Sequence, residues 1–216
     1  MATPERGIDT DYPVQLSVDY PDRALNRVTT LFRLILAIPI VVVLTSLYGF
    51  SAQFDSGPNG PGTAAAVAGG WLVLPPLLMI LFRRKYPRWW FDWNLELLRF
   101  ENRVGVYLLL LDDRYPSTDE HQSVRLDFPY PDAARLNRWL PLVKWLLAIP
   151  HYIVLFFLFI AAIAVAVVAW FAILFTGRFP RRLFDFLVGV ARWENRVIAY
   201  AFILVTDRYP PFRLAP

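Results

Sequence analysis

The chain has 216 residues, a formal net charge of +4, two histidines and no cysteine; 56% of its residues are hydrophobic and only 19% are charged. Disulfides, zinc–thiolate sites and cysteine nucleophiles are therefore excluded. The apolar residues are gathered in blocks rather than spread, which points to a membrane protein, and in such a chain the placement of Lys and Arg matters more than their sum.

Met1 to Asp11 is polar and contains acids, so no cleavable signal peptide is expected and the first apolar segment serves as the insertion signal. Val14 to Val18 alternates apolar and polar residues and reads as a short strand. A first span is predicted over about 30–50, with only Arg33 charged, near its start, where a long side chain can snorkel to the interface. The Gly- and Pro-rich linker Ser51 to Thr63 holds Asp55 but no Lys or Arg, which places it outside by the positive-inside rule. A second, uncharged span follows over about 64–82, and the basic run Arg83, Arg84, Lys85, Arg88 then lies inside.

Over about 88–111 the polar residues Asp92, Glu96, Arg99 and Arg103 recur at helical spacing, opposite Trp90, Phe91, Leu95 and Leu98. This predicts an amphipathic helix in the cytoplasmic interface, with Trp89, Trp90 and Trp93 at headgroup depth. The unit 12–116 closes on Asp113-Arg114-Tyr115-Pro116.

A second unit, 124–212, repeats the order. Val124 to Phe128 is strand-like, and the two strands can pair with each other. The apolar block 140–175 carries only Lys144 as a charge, and His151. As one helix it would reach roughly 50 Å, against about 30 Å of hydrocarbon. Because Arg178, Arg181 and Arg182 follow, the positive-inside rule predicts a hairpin turning near Leu158 to Ala162. Phe159-Ile160-Ala161-Ala162 has no turn chemistry, so a single helix kinked at Pro150 stands as the alternative. A second interfacial helix, about 181–205, presents Asp185, Arg192 and Arg196 on one face, with Gly189 in the place of Glu96 and Trp193 at headgroup depth.

The two units are copies. Asn26-Arg27, Arg33 and Leu36-Ala37-Ile38-Pro39 match Asn137-Arg138, Lys144 and Leu147-Ala148-Ile149-Pro150 at the same spacing; Glu101-Asn102-Arg103-Val104 matches Glu194-Asn195-Arg196-Val197; the second copy closes on Asp207-Arg208-Tyr209-Pro210. The predicted fold is an all-α membrane protein: two tandem repeats of a transmembrane helical hairpin followed by a cytoplasmic-side amphipathic helix, with a short strand-like segment before each.

Arg83, Arg84, Arg88, Arg99, Arg103, Arg178, Arg181, Arg182, Arg192 and Arg196 are candidate contacts for lipid headgroups or a partner. The Asp113-Arg114-Tyr115 and Asp207-Arg208-Tyr209 closers read either as a partner-binding rim or as helix stops before proline. His151 is an intramembrane ionisable residue and hence a functional candidate, but Ile40 stands at its place in the first copy, and with no second His nearby and no Cys neither a metal nor a cofactor is expected. His121 lies in a polar linker. No nucleotide-binding, hydrolase or metalloprotease motif is present, so no enzyme is expected, and the membrane accounts for the basic residues without nucleic acid.

Leu147-Ala148-Ile149-Pro150-His151-Tyr152, the run Trp170 to Pro180, and Thr206-Asp207-Arg208-Tyr209-Pro210-Pro211-Phe212 closely resemble the bacterial membrane family catalogued as domain of unknown function 4389. The resemblance is strong over the second copy and weaker over the first, where Ile40 replaces the histidine and Arg83-Arg84 the Thr-Gly pair. It implies a multi-pass protein of the bacterial cytoplasmic membrane, with both termini cytoplasmic, and supplies no catalytic residues. The expected role is a non-enzymatic scaffold or accessory subunit that organises membrane lipid, other membrane proteins or copies of itself. A small transporter or lipid-handling protein with an apolar site between the repeats is the alternative.

Overall fold

The computed structural model describes residues 12–48, 74–117 and 122–216. Met1 to Asp11, the linker Ser51 to Thr63, the first part of the second predicted span and His121 lie outside the described residues. The chain is mostly helical, in the order β1 (Gln15–Val18), α1 (Arg27–Leu31), α2 (Arg33–Tyr48), α3 (Leu74–Arg83), α4 (Arg88–Leu108), β2 (Val124–Asp127), α5 (Pro141–Leu147), α6 (Ile149–Thr176) and α7 (Arg181–Ala201).

The strands pair antiparallel with Leu16 opposite Leu126, Gln15 opposite Asp127 and Ser17 opposite Arg125. Their two-residue period buries Leu16 and Leu126 and exposes Gln15, Ser17, Arg125 and Asp127. A two-stranded pair is marginal alone. This one is pinned to helices from the opposite copies: Arg192 Nε donates to the Leu16 carbonyl at 3.2 Å and Arg99 Nε to the Leu126 carbonyl at 2.9 Å.

The apolar block does not form the predicted hairpin. α6 runs unbroken for 28 residues, through the proposed turn. Nothing between Leu158 and Ala162 stops a helix, so it propagates until Gly177, whose φ of 73° caps it, and Pro180. Its start is set by Pro150 in the first turn, where a missing N–H removes no helical bond, and the break from α5 falls at Ala148. At about 42 Å, α6 is the one helix among the described residues long and apolar enough to cross a membrane. In the first copy the predicted span is divided: Asn26 caps α1, and α2 begins after Phe32 and carries Pro39 within it.

The two amphipathic helices begin where predicted but end at Leu108 and Ala201, short of the predicted 111 and 205. Leu110 and Leu204 take left-handed φ values of 66° and 63°. That conformation costs a non-glycine residue roughly 1–2 kcal/mol; here both side chains are buried, and the N–H groups of Leu111 and Val205 bond back to Val106 and Ala199 at 2.9 Å each.

Three layers result. After Gly177 the chain turns back, so α7 lies along α6. Ala148, just before α6, and Leu155 cluster with Trp193, Val197 and Ala201 at the end of α7. Ala169 and Ile173 near the other end of α6 join Phe184 and Leu187 at its start. α2 packs on α4 in the same manner, through Ala37, Ile40, Phe100, Val104 and Tyr107. β1 packs on α7 and β2 on α4. α6 buries a single stripe, His151, Leu155, Ala162, Ala169 and Ile173, and leaves Phe156, Phe157, Ile160, Ile163, Val167 and Phe171 exposed. In a soluble amphipathic helix the exposed face is polar.

The opening arms are exchanged. Tyr20 donates to the Phe179 carbonyl, Arg27 to the Phe175 carbonyl at 3.3 Å, and Leu25 N to Gly177 O at 2.9 Å, all in the second copy. In reverse, Tyr130 donates to the Tyr86 carbonyl and Arg138 to the Leu81 carbonyl in the first.

Candidate functional site

Arg33 and Lys144 do not snorkel outward; they are buried, at 2% and 0% exposure. Arg33 Nη1 donates to the carbonyls of Asp112 at 2.8 Å and Tyr107 at 3.2 Å, with its guanidinium 4.0 Å from the Tyr107 ring centroid. Lys144 Nζ donates to the Thr206 carbonyl and pairs with Asp207 Oδ1, both at 2.7 Å. A charge withdrawn from water requires such partners. Of these acceptors Asp207 belongs to an Asp-Arg-Tyr-Pro closer, Asp112 and Thr206 stand immediately before one, and Tyr107 lies near the end of α4; the chain brings them against Arg33 at the start of α2 and Lys144 in α5.

Each closer is also clamped from the far side. Asp113 accepts the N–H of Asn26 at 3.3 Å and Asp207 that of Asn137 at 2.6 Å. The Asn26 side chain caps Val28 and Thr29, and that of Asn137 caps Trp139 and Leu140, at 2.9 and 3.3 Å in both copies. Arg23 pairs with Asp112 and Asp113, and Tyr209 donates to the Leu147 carbonyl at 3.0 Å. Asp113, Tyr209 and Asp207 thus fasten the chain to itself, while Arg114 remains exposed.

The ten candidate arginines divide. Arg83, Arg84, Arg88, Arg178, Arg181 and Arg182 are exposed; Arg88 lies 5.3 Å from the Tyr130 ring and Arg181 4.4 Å from that of Tyr20, again across copies. The other four are less exposed and bond within the chain. Besides its strand bond, Arg99 meets Glu96 and Asp127 at 2.6 and 2.7 Å. Arg103 donates to the Ser117 carbonyl at 2.7 Å. Arg192 donates to Leu214 O at 3.0 Å, and Arg196, 2% exposed, to Arg213 O and Ala215 O at 3.2 and 2.9 Å. Carbonyls of strands and loops supply the acceptors that sequence spacing assigned to phosphate. Trp193 is likewise buried rather than at headgroup depth; its Nε1 donates to His151 Nδ1 at 3.0 Å, which leaves the imidazole proton on Nε2.

Two features escaped the sequence reading. Asn102 and Asn195 donate to each other's Oδ1 at 2.9 and 2.7 Å, and each gives its other N–H to the carbonyl one helical turn back, Leu98 or Ala191, at 2.8 Å. Beside them, burial pushes the carboxyls of Glu101 and Glu194 up to about 7, and the charge of Glu194 adds to the shift at Glu101. The signal was the duplicated Glu-Asn-Arg triplet, which matching alone does not identify as a contact.

A polar cleft of about 640 Å³ lies at the end of the sheet, walled by Arg23, Asp112, Arg114, Gln122 and Arg125. An open groove of about 720 Å³ adjoins it between α2 and α4, walled by Pro39, Ile40, Val43 and Phe100 and sharing Arg114 and Gln122 with the cleft. Among the described residues no group of three metal-ligating side chains is gathered.

No curated protein and no solved structure matches the chain. Residues 139–213, most of the second copy, match the family model described as domain of unknown function (DUF4389).

Proposed function

We propose that this chain is a tandem-repeat protein of the bacterial cytoplasmic membrane that acts as a non-enzymatic scaffold or accessory subunit, organising other membrane proteins or lipid. The observation that carries the proposal is the layering. The exposed sides of α2 and α6 are apolar throughout, with Leu34, Ile35, Ile38, Val42, Phe156 and Phe157 all outward, while the arms beneath α4 and α7 present charge. An exposed apolar surface of this extent needs lipid or protein against it. The buried cations support a scaffold, because Arg33, Lys144 and Arg196 each bond to the chain's own carbonyls.

Multi-pass topology is the expectation from loop charge. The packing of α6 along α7 favours a different embedding. An upright α6 would take Arg192, Glu194, Asn195 and Arg196 into the bilayer with it, at a cost that rises steeply with depth. An apolar layer set into the cytoplasmic leaflet keeps them at the surface. Single cysteines in this cysteine-free chain separate the two. A cysteine at Ala161 is expected to be shielded from both faces, one at Ser17 to react from the cytoplasm, and one at Gln53 to stay silent from outside; labelling at Gln53 from outside restores the multi-pass arrangement. Release of the protein by alkaline carbonate removes the membrane reading altogether.

Gentle extraction followed by native mass spectrometry tests the role. Partner proteins at fixed stoichiometry are expected, and a chain that emerges alone overturns the scaffold. The open groove beside α2 favours the second reading, lipid handling.

A further inference from the structure

Each exchanged arm carries cations to the other copy, and the two arms do so in the same way. At the end of α6, Arg27 of the first copy donates to the Phe175 carbonyl at 3.3 Å and lies against Gly177. Tyr20, on the same arm, donates to the Phe179 carbonyl and holds its ring 4.4 Å from the Arg181 guanidinium. Arg178, next to Gly177, is exposed, and its side chain makes no bond among the described residues. At the end of α3 the arm of the second copy supplies the same parts. Arg138 donates to the Leu81 carbonyl and Tyr130 to the Tyr86 carbonyl, with the Arg88 guanidinium 5.3 Å from the Tyr130 ring. Counted from the shared Leu-Phe pair, Lys85 stands for Arg178; it too is exposed and makes no side-chain bond among the described residues.

Like charges repel, so a cluster of exposed cations carries a cost that an anion from outside the chain relieves. In each cluster one cation is held on a carbonyl and one on a ring, and the third side chain is left to such an anion. Asp185, 3.8 Å from Arg181 Nε, offsets one charge, and its cluster stays net positive. The apolar neighbours say what the anion carries. Phe175, whose carbonyl Arg27 holds, is 78% exposed, and Phe82, next to Leu81, is 69% exposed. A free anion in water gains nothing from such rings. A phosphate that ends an acyl chain does, because the chain covers the rings while the guanidinium groups take the oxygens.

We propose that Arg27 with Arg178 and Arg181, and Arg138 with Lys85 and Arg88, form a matched pair of sites for the phosphate of an anionic phospholipid, each built by both copies. This rests on the membrane reading above and names the class of lipid that the surface takes.

The test is native mass spectrometry of the full chain in detergent, titrated with phosphatidylglycerol and, separately, with phosphatidylcholine. Two phosphatidylglycerols per chain are expected, with phosphatidylcholine weaker by at least about tenfold, since each cation near an anionic headgroup is worth about fivefold. Arg178→Glu removes one site, and the surviving site reports that the variant is folded; Arg178→Glu with Lys85→Glu removes both. Arg114→Glu, at an exposed arginine outside the clusters, leaves both. Arg27→Gln added to Arg178→Glu still leaves one site, whereas Arg27→Gln added to Lys85→Glu leaves none. Sites built within single copies give the reverse pattern, which overturns the assignment. So do a parent chain that binds fewer than two, equal binding of phosphatidylcholine, Arg178→Glu binding as the parent does, and displacement of the lipid by glycerol 3-phosphate at equal concentration, which gives the clusters to a free phosphate. A chain released by carbonate that still binds two phosphatidylglycerols loses the membrane reading and keeps the sites; a carbonate-resistant chain that binds none does the reverse.

Discussion

The packing of α2 on α4 and of α6 on α7 is built from corresponding residues, Ala37, Ile40, Phe100, Val104 and Tyr107 against Ala148, His151, Trp193, Val197 and Tyr200, and the two assemblies end differently. In the second, Phe212 lies on His151 and the following segment crosses Gly189. In the first, Ile40 and Phe100 are buried with Ala37, Val104 and Tyr107. Isoleucine for histidine and glutamate for glycine look like unrelated drift in the sequence. The structure joins the second-copy residues, because His151 stacks on Phe212 and Gly189 leaves room for Leu214 of the same C-terminal segment.

The largest effect separates the copies by their buried cations. Lys144→Ala removes the cationic partner of Asp207, which keeps the Asn137 N–H, and is expected to cost up to about 3 kcal/mol in thermal or denaturant unfolding. Arg33→Ala is expected to cost less, because the first copy's acid, Asp113, is held by Arg23. Equal losses would erase that distinction.

The Asn102–Asn195 pair belongs to both copies. Asn195→Leu strands the partner amide and is expected to cost up to about 3 kcal/mol; the double Leu variant recovers most of it, and additive losses would show that the two amides act independently.

The neighbouring carboxyls give a pH dependence. Glu101 and Glu194, raised from 4.5 to about 7, hold protons that the unfolded chain releases, so the folded state binds more protons between those values. Their contribution is fully favourable below pH 4.5 and is lost as pH rises to about 7, by up to about 3 kcal/mol for each group. Melting temperatures of Glu101→Gln with Glu194→Gln are expected to be flat across that window and above the parent at pH 8. A parent profile that rises with pH would contradict this.

The glycines sharpen the contrast at smaller cost. Gly189→Ala pushes against Leu214 and is expected to lose about 1 kcal/mol and to expose the segment after Phe212 to protease. Gly105→Ala meets nothing within 4 Å and is expected to gain about 0.5–1 kcal/mol of helix stability.

Much of this frame was legible beforehand. The alternation at Val14 and Val124, the polar spacing after Arg88 and Arg181, and the duplicated motifs mark strands, amphipathic helices and copies, because each is a local pattern set by a repeat of 2 or 3.6 residues. The positive-inside rule misplaced a turn in α6, since charge placement carries no weight against a run with no helix-stopping residue. Spacing puts Arg192 and Arg196 on a polar face but is silent on what covers it.

The sequence by itself determined the two strands, the starts of the two amphipathic helices, the apolar character of the α2 and α6 surfaces and the duplicated motifs. Only the tertiary structure decided that the opening arms cross between copies, that Arg33, Lys144 and Arg196 face inward, and that Phe212 stacks on His151. Periodicity fixes which way a side chain points from its own helix. The partner it meets depends on chain brought from more than sixty residues away, as Lys144 and Thr206 show, and a one-dimensional pattern does not encode that approach.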